Sequence, residues 1–272
     1  MIDINDLPCA AQSTKKAMHA DDRSISYSSK SIVEINEAVN SDLSRLQIRL
    51  AGHKLSINVA KTQSMILGSS STLKKHHMDN GDPKINLHIN EDNLDMIGPN
   101  KYLGGQIDSK LKWRGHITLA IGKISRAMGM LRYAKKYLPL EIIKNMYTNV
   151  VEPYFRNCCS VWGCCGETLL DKLQKLQNRA ARIVTNSSYD ASSLPLIGSL
   201  GWLTIKEMIV FETATTVYKS LHGLAPEYMQ SMFTKLSENS SRSLRNTDTD
   251  LRIPRFATSY GQRSFSYRGV TA

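Results

Sequence analysis

Long apolar runs are missing from this sequence. No stretch of the 272 residues approaches the roughly 20 consecutive apolar residues that a membrane-spanning helix needs. The opening segment MIDINDLPCA has neither the basic start nor the apolar middle of a secretory signal peptide. Both absences lead us to expect an intracellular protein, nuclear or cytoplasmic, that does not associate with membranes.

Cysteine is scarce, and its number is odd. Five cysteines in a chain without a signal peptide are expected to stay reduced. Four of them crowd into CCSVWGCC at 158–165, whereas zinc sites usually use Cys pairs that a longer loop separates. We interpret this cluster as buried apolar thiols, with a metal site as the alternative.

Acidic residues are few relative to basic ones. The formal net charge is +11, which favours a polyanionic partner such as nucleic acid over a merely soluble basic protein. From Lys110 to Leu140 the chain has eight cations and no Asp or Glu. We expect four of these cations to contact phosphates: Lys110, Lys112, Lys123 and Arg126.

A second basic series lies further along the chain. Lys172, Lys175, Arg179 and Arg182 recur at helical spacing. The same segment carries an apolar stripe of Leu169, Leu173, Leu176, Ala180 and Ile183. The pattern predicts one buried helix face with a cationic face beside it. Such a face suits phosphate contacts, and an ordinary solvated Lys/Arg face is the alternative.

The periodicity predicts an α+β organisation. In residues 1–109 we predict a hairpin with arms AMHA and SISYSS, a helix capped at Ser31, and short strands near 55–67 and 85–89. Residues 110–236 read as all-helical, in four segments: 116–138, 140–155 (ending near Pro153), 167–185 and 205–223. Residues 237–272 are rich in Ser and Arg and predict an irregular tail.

The predicted hairpin carries two adjacent acids, Asp21 and Asp22, at its tip. Neighbouring carboxylates can hold divalent cations in two-metal phosphoryl transfer, and the cations then relieve the repulsion between the acids. A solvated turn is the alternative, because Asp is a preferred turn residue.

Several segments, in order along the chain, resemble the reverse transcriptases of non-LTR retrotransposons, in particular jockey- and CR1-like elements. They are DINDLP, AMHADDRSI, LSRLQIRLAGHKLSINVAKTQSMILG, KYLGGQIDSKLKW, LQKLQNRAARIVT and LGWLTIKE. The resemblance implies a partial polymerase palm, an antiparallel sheet with a helix, in residues 1–109 and a helical thumb-like region in 110–236.

The resemblance also implies roles for individual residues. Asp21 and Asp22 match the catalytic acids that bind Mg²⁺. Lys61 matches a lysine near the phosphates of the incoming nucleotide. Tyr102, Leu103 and Gly104 match the segment that grips the primer end. The implied partners are an RNA template with a DNA primer, or an RNA–DNA duplex; no oligomeric state follows.

The sequence departs from the family pattern at the site. His19 replaces an aromatic Phe or Tyr, and Arg23 replaces the usual Thr. The family places its first catalytic aspartate and its fingers well upstream of Ala-Asp-Asp, where this chain has about twenty residues. We therefore expect a polymerase fragment that binds Mg²⁺ weakly and is inactive alone. A non-catalytic RNA- or DNA-binding module and a pseudogene product are the alternatives.

Overall fold

The computed structural model describes residues 9–19, 22–75, 85–90, 92–236 and 250–272. The chain divides into two compact units. Unit 1 comprises residues 1–100 with Asp108–Leu111, and unit 2 comprises Lys101–Ile107 with Lys112–Ala272. Helices combine with small two-stranded sheets, in agreement with the α+β prediction. The predicted domain limits at 109 and 236 stay predictions.

Unit 1 begins with the predicted hairpin. Strand β1 (Lys15–His19) pairs antiparallel with β2 (Asp22–Ser26), so that His19 lies opposite Asp22. Helix α1 (Ile32–Gly52) follows, and the Ser31 hydroxyl accepts the Glu34 N–H, as predicted. The Glu34 carboxylate accepts from the Ser29 hydroxyl.

The core of unit 1 forms where α1 meets a second small hairpin. Val39, Leu43 and Ile89 are buried together, and Ile25 of β2 packs against them. Ile89 ends β3 (His88–Ile89), which pairs with β4 (Asp92–Asn93). The short helix α2 (Ser70–Lys75) lies between α1 and β3 in the chain.

The strands predicted near 55–67 do not form, and that prediction was wrong. Val59–Lys61 is a turn of 3₁₀-helix, which begins where the Asn58 side chain accepts the Lys61 N–H. Ser64 makes an isolated bridge to Met96. A strand needs a paired neighbour along its length, and the side chain of Asn58 offers the backbone a competing local partner.

Unit 2 begins within a tight hairpin, at Lys101, and continues as helices. Strand β5 (Asn100–Tyr102) pairs with β6 (Gly105–Ile107). The helices that follow are α3 (Arg114–Ala134), α4 (Leu140–Met146), α5 (Glu152–Arg156), α6 (Cys159–Trp162), α7 (Glu167–Thr185), α8 (Ser193–Ser199), α9 (Ile205–Leu221) and α10 (Glu227–Gln230).

The second predicted helix runs past Pro153, where we expected it to end. A π-helical turn, Tyr147–Val151, joins α4 to α5, and Pro153 lies in the first turn of α5. Proline has no N–H to donate to the preceding turn, and the π turn lies directly before Pro153, where the regular α-helical hydrogen-bond pattern is interrupted. The sequence pattern could not show the π turn.

The core of unit 2 lies between α3, α7 and α9, with α4 and α5 packed against them. Their buried side chains include Ile117, Ile124 and Leu131 of α3 and Leu173 and Val184 of α7. Tyr147 stacks on Trp202 with 3.7 Å between ring centroids. Of the helices that the structure describes, none is both long and apolar enough to cross a membrane.

Part of the expected irregular tail is helical. Residues 237–249 lie outside the described residues, and 250–272 include α11 (Ser259–Gln262) and α12 (Phe265–Thr271). Gly269 lets α12 approach α9, because a Cβ there would lie 2.7 Å from Val217 Cγ2 and 2.9 Å from Phe233 Cε1. Segments this short gave no readable period in the sequence.

Candidate nucleic-acid interface and acidic hairpin

Of the two adjacent acids, Asp21 and Asp22, the structure describes one. Asp22 is the exposed first residue of β2, and Asp21 lies outside the described residues. Arg23, also exposed, lies opposite Met18 in the ladder. A cation therefore follows the acid directly along β2, as the sequence indicated.

The described residues leave the magnesium prediction untested. In the part of the chain that the structure describes, no three or more His, Cys, Asp or Glu side chains gather as they would around a metal ion. Asp22 is a carboxylate that Mg²⁺ accepts as a ligand. Its neighbour Asp21 falls outside these residues, so the metal role of the pair stays a prediction.

The residues predicted to bind substrate lie on two turns. Lys61 ends the 3₁₀ turn in unit 1 and is exposed. Tyr102 ends β5, and Leu103 and Gly104 form the tip of the β5–β6 hairpin in unit 2. Their predicted contacts with nucleotide and primer stay predictions.

Leu103 has an unusual backbone. Both residues at the hairpin tip have positive φ, 45° for Leu103 and 83° for Gly104. A two-residue hairpin turn often demands this conformation, and Asn or Gly usually occupies its first position. A leucine there is strained, and its side chain is 45% exposed. An apolar side chain is thus exposed at the tip, on a backbone conformation that is costly for leucine.

His116 ties that hairpin to α3. Its Nδ1 accepts the N–H of Gln106, on β6, at 3.3 Å. The ring is buried and lies against Trp113 and Trp162. Burial, assisted by the nearby Lys123 charge, lowers the pKa of His116 below its ordinary value. The neutral ring can therefore keep accepting the Gln106 N–H.

The predicted cations of α3 lie on its solvent side. Lys123 and Arg126 are exposed, whereas His116, Ile117 and Ile124 face the core. The Lys123 ammonium lies 5.9 Å from the centre of the Tyr154 ring. Of the two cations that precede the helix, Lys112 is exposed and Lys110 is half-buried.

The cationic face of α7 is confirmed as a stripe, but its position differs from the prediction. At about 100° per residue, Lys172, Lys175, Arg179 and Arg182 fall within an arc of about 80°. The buried residues are Leu170, Leu173, Gln177, Ala180, Ala181, Ile183 and Val184. Leu169 and Leu176 are only half-buried. The cations therefore lie opposite the core rather than beside it.

Arg182 differs from the other three cations of the stripe. Its Nε donates to the Ala191 carbonyl at 2.9 Å, and its guanidinium lies 6.0 Å from the Tyr189 ring centre. Arg182 therefore holds the segment that follows α7. Lys172, Lys175 and Arg179 are exposed.

The positive charge is unevenly distributed along the chain. Residues 101–272 contain 24 Lys and Arg against 12 Asp and Glu, whereas residues 1–100 contain 11 against 12. The excess therefore belongs to the part that folds mainly as helices. An electrostatic attraction for a polyanion would act through this part.

The four cysteines at 158–165 differ in their burial. Cys159 and Cys165 are buried, Cys164 is half-buried and Cys158 is exposed, so the prediction of four buried thiols holds for two of them. Desolvation raises the pKa of Cys159 and of Cys165 to about 11. Both thiols are therefore poor nucleophiles at neutral pH.

Sequence reasoning missed Asp42, whose carboxylate accepts hydrogen bonds from three backbone N–H groups. It is a fully buried acid, and it lies in α1 between the apolar positions Val39 and Leu43. The position was the signal: a carboxylate on the apolar face of a helix must find partners. The partners themselves lie about thirty residues earlier in the chain and could not be read from the pattern.

Comparison with known proteins points to one group. The chain is 26% identical over 219 residues to the probable RNA-directed DNA polymerase from transposon BS of Drosophila melanogaster. It is 24% identical over 127 residues to the probable RNA-directed DNA polymerase from transposon X-element of the same organism. The chain is thus similar to transposon RNA-directed DNA polymerases.

The resemblance to transposon RNA-directed DNA polymerases is therefore confirmed, whereas the jockey- or CR1-like type, the palm and thumb, and the residue roles stay predictions. The matches cover 77% and 45% of this chain, but only 23% and 14% of the two polymerases. The chain thus spans less than a quarter of the polymerases that it matches. No family model and no solved structure gives a match.

Proposed function

We propose that this chain is part of a non-LTR retrotransposon reverse transcriptase, jockey- or CR1-like. The hairpin of β1 and β2 presents the catalytic acids, and the helices of unit 2 hold an RNA template paired with a DNA primer. The observation that carries this proposal is the match to transposon polymerases along 77% of the chain, together with a hairpin formed around the Ala-Asp-Asp segment.

In this proposal Asp21 and Asp22 hold Mg²⁺ against the substrate phosphates. The bound metal would stabilise the attacking and leaving oxygens of nucleotidyl transfer. Asp22 is exposed, so its carboxylate is open to an arriving cation. Arg23 partly offsets the local negative charge, so we expect weak binding by these residues alone. Lys61 would face the nucleotide phosphates, and the Tyr102–Gly104 tip would face the primer.

The 272 residues alone are expected to be inactive, because one acidic pair leaves the geometry of two metal ions open. The test is primer extension on an RNA template with Mg²⁺. Absence of product is expected. Sustained synthesis that disappears in Asp21→Asn would overturn the expectation and show that the pair is sufficient.

Non-catalytic binding of RNA or RNA–DNA duplex is the second candidate, and the stripe on α7 favours it. A stripe opposite the core can lie along a phosphate backbone without disturbing the fold. We expect Lys175→Glu with Arg179→Glu to reduce the salt slope of duplex binding by about 2, roughly one for each lost phosphate contact.

The matched control removes the same charge elsewhere. Lys30 and Lys54 are exposed residues of unit 1, and Lys30→Glu with Lys54→Glu should leave the slope nearly unchanged. Equal losses in both double variants would mean that net charge, not the stripe, attracts the duplex. A pseudogene product without a stable fold, the third alternative, is contradicted if the purified chain unfolds cooperatively on heating.

A further inference from the structure

Asp42 binds the segment that leads into the acidic hairpin. Its Oδ1 accepts the Gln12 N–H at 3.0 Å, and its Oδ2 accepts the N–H groups of Ser13 at 2.9 Å and Thr14 at 2.8 Å. Oδ2 also accepts the Thr14 hydroxyl at 2.8 Å, and Arg45 donates to Oδ1 at 2.9 Å. One fully buried carboxylate thus fixes three successive peptide units.

The anchored segment runs directly into β1. Thr14 precedes Lys15, the first residue of the strand. Every side chain of β1 is exposed, and β2 is half-buried only at Ser24 and Ile25. The hairpin therefore has little apolar surface with which to hold its own position. Ile25 contacts the core of unit 1, and Asp42 binds the segment that enters β1, in which Thr14 is buried.

This attachment lies at the base of the hairpin, at the opposite end of β1 from the tip. A strand advances about 3.3 Å per residue, so the five residues of β1 carry the tip roughly 17 Å beyond Thr14. A slip of one residue at the base would turn every side chain to the other face. The base of β1 therefore decides both the reach and the face of the hairpin.

We propose that Asp42 is a positioning residue, which sets the reach and the face at which the hairpin presents Asp21 and Asp22. This proposal rests on the proposed function, in which those two acids hold the metal. Asp42 acts through the backbone of Gln12–Thr14 and has no contact with substrate.

The chemistry of the anchor requires a carboxylate. Three N–H groups and a hydroxyl converge on its two oxygens, and each bond is stronger because the acceptor is charged. An asparagine has one acceptor oxygen and would turn an NH₂ group toward some of these donors. Burial raises the pKa of Asp42, but the bonds from Gln12, Thr14 and Ser13 outweigh burial and lower the pKa to about 2. The anchor is therefore ionised throughout the neutral range.

The test compares Asp42→Asn with Glu37→Gln in the full 272-residue chain. Glu37 is an exposed acid of the same helix, so the control removes one charge without touching the anchor. Amide hydrogen exchange at residues 12–19 should accelerate by at least about tenfold in Asp42→Asn, as expected for losing charge-assisted bonds. The control and the helices of unit 2 should keep their protection.

A second measurement asks whether the tip moves. Mn²⁺ serves as a paramagnetic substitute for Mg²⁺, and its broadening of the Asp22 amide signal is followed by NMR. Weaker Mn²⁺ binding in Asp42→Asn than in Glu37→Gln is expected. Thr14→Val removes a single bond from the anchor, and should show both effects at smaller amplitude if Asp42→Asn fails to fold.

The outcomes distinguish a failure of the Asp42 proposal from a failure of the proposed polymerase function. Unchanged exchange at residues 12–19 overturns the proposal. Faster exchange with unchanged Mn²⁺ binding also overturns it, because Asp42 would then support the fold without placing the tip. If the wild type binds no Mn²⁺, the metal role in the proposed function fails, and a shift of the Asp22 amide signal in Asp42→Asn but not in Glu37→Gln then decides whether Asp42 places the tip.

Discussion

His116 makes one hydrogen bond that depends on its protonation state. Its Nδ1 accepts the Gln106 N–H only while that nitrogen is unprotonated. The folded pKa of His116 is lowered, so between this pKa and its ordinary value of 6.5 the unfolded chain binds more protons than the folded chain. The free energy of unfolding must therefore fall as the pH drops below about 6.5.

We expect His116→Asn to flatten this pH dependence. Asparagine keeps an acceptor but does not titrate, so the wild type should lose more stability than the variant between pH 7 and 5, by about 1.4 kcal/mol per pH unit at most. Urea unfolding at several pH values measures the difference. Equal slopes in wild type and His116→Asn would contradict the prediction.

At Leu103 we expect one substitution to have opposite effects on the stability of the chain and on duplex binding. Leu103→Asn creates an Asn-Gly tip that suits two positive φ values, and should raise the free energy of unfolding by about 1 kcal/mol. If the tip contacts the primer, the same change should weaken duplex binding, because an exposed apolar contact is lost. Thermal unfolding and a binding titration measure the two effects.

Gly104→Ala is the control for Leu103. It strains a φ of 83° and should destabilise the chain. A Leu103→Asn variant that is less stable than the wild type would show that the leucine is not strained as the φ value indicates.

At the scale of whole elements, the apolar periodicity of α7 predicts where the helix begins and ends but not which face is buried. Its ends, Glu167 and Thr185, agree with the prediction, because a strong apolar repeat defines a long helix well. Its buried face was misplaced because Gln177, a polar residue, is fully buried. Gln177 Nε2 donates to the Leu203 carbonyl at 2.8 Å, and its Oε1 accepts from Gln174 at 2.9 Å. Only the tertiary structure supplies the Leu203 partner.

We expect Gln177→Leu to destabilise the chain although leucine is more apolar. The Leu203 carbonyl would lose its partner in a partly buried place, at a cost of about 1 kcal/mol. Leu176→Gln, at a half-buried position next along the helix, should cost less. Urea unfolding of both variants tests the order; a smaller loss in Gln177→Leu than in Leu176→Gln would contradict it.

At the scale of the molecule, charge and fold divide the chain in similar ways. Residues 101–272 carry the cationic excess, and almost all of them form unit 2. The sequence predicted the nucleic-acid partner from charge and the acidic tip from its motif. It could not place the anchor of the hairpin, because Asp42 and Gln12–Thr14 are joined only in the folded chain.

Duplex binding should respond strongly to salt. If about six phosphates are neutralised, affinity should fall roughly a thousandfold between about 50 and 200 mM salt. A fluorescence anisotropy titration of a labelled RNA–DNA duplex measures the slope. An affinity that hardly changes over this range would argue against a phosphate-based interface.

The π turn at Tyr147–Val151 bears on how distant relatives should be aligned. A π turn arises where a helix holds one extra residue. The wider π turn takes up that residue, so a chain without it could continue as regular α-helix with its later side chains on the same faces. Arg156 would still face both Glu152 and Glu212, which it bridges here. In alignments of transposon polymerases, a one-residue gap in this helix should therefore leave the Arg156–Glu212 pair in place, so that the length of the helix varies while this charge pair is kept.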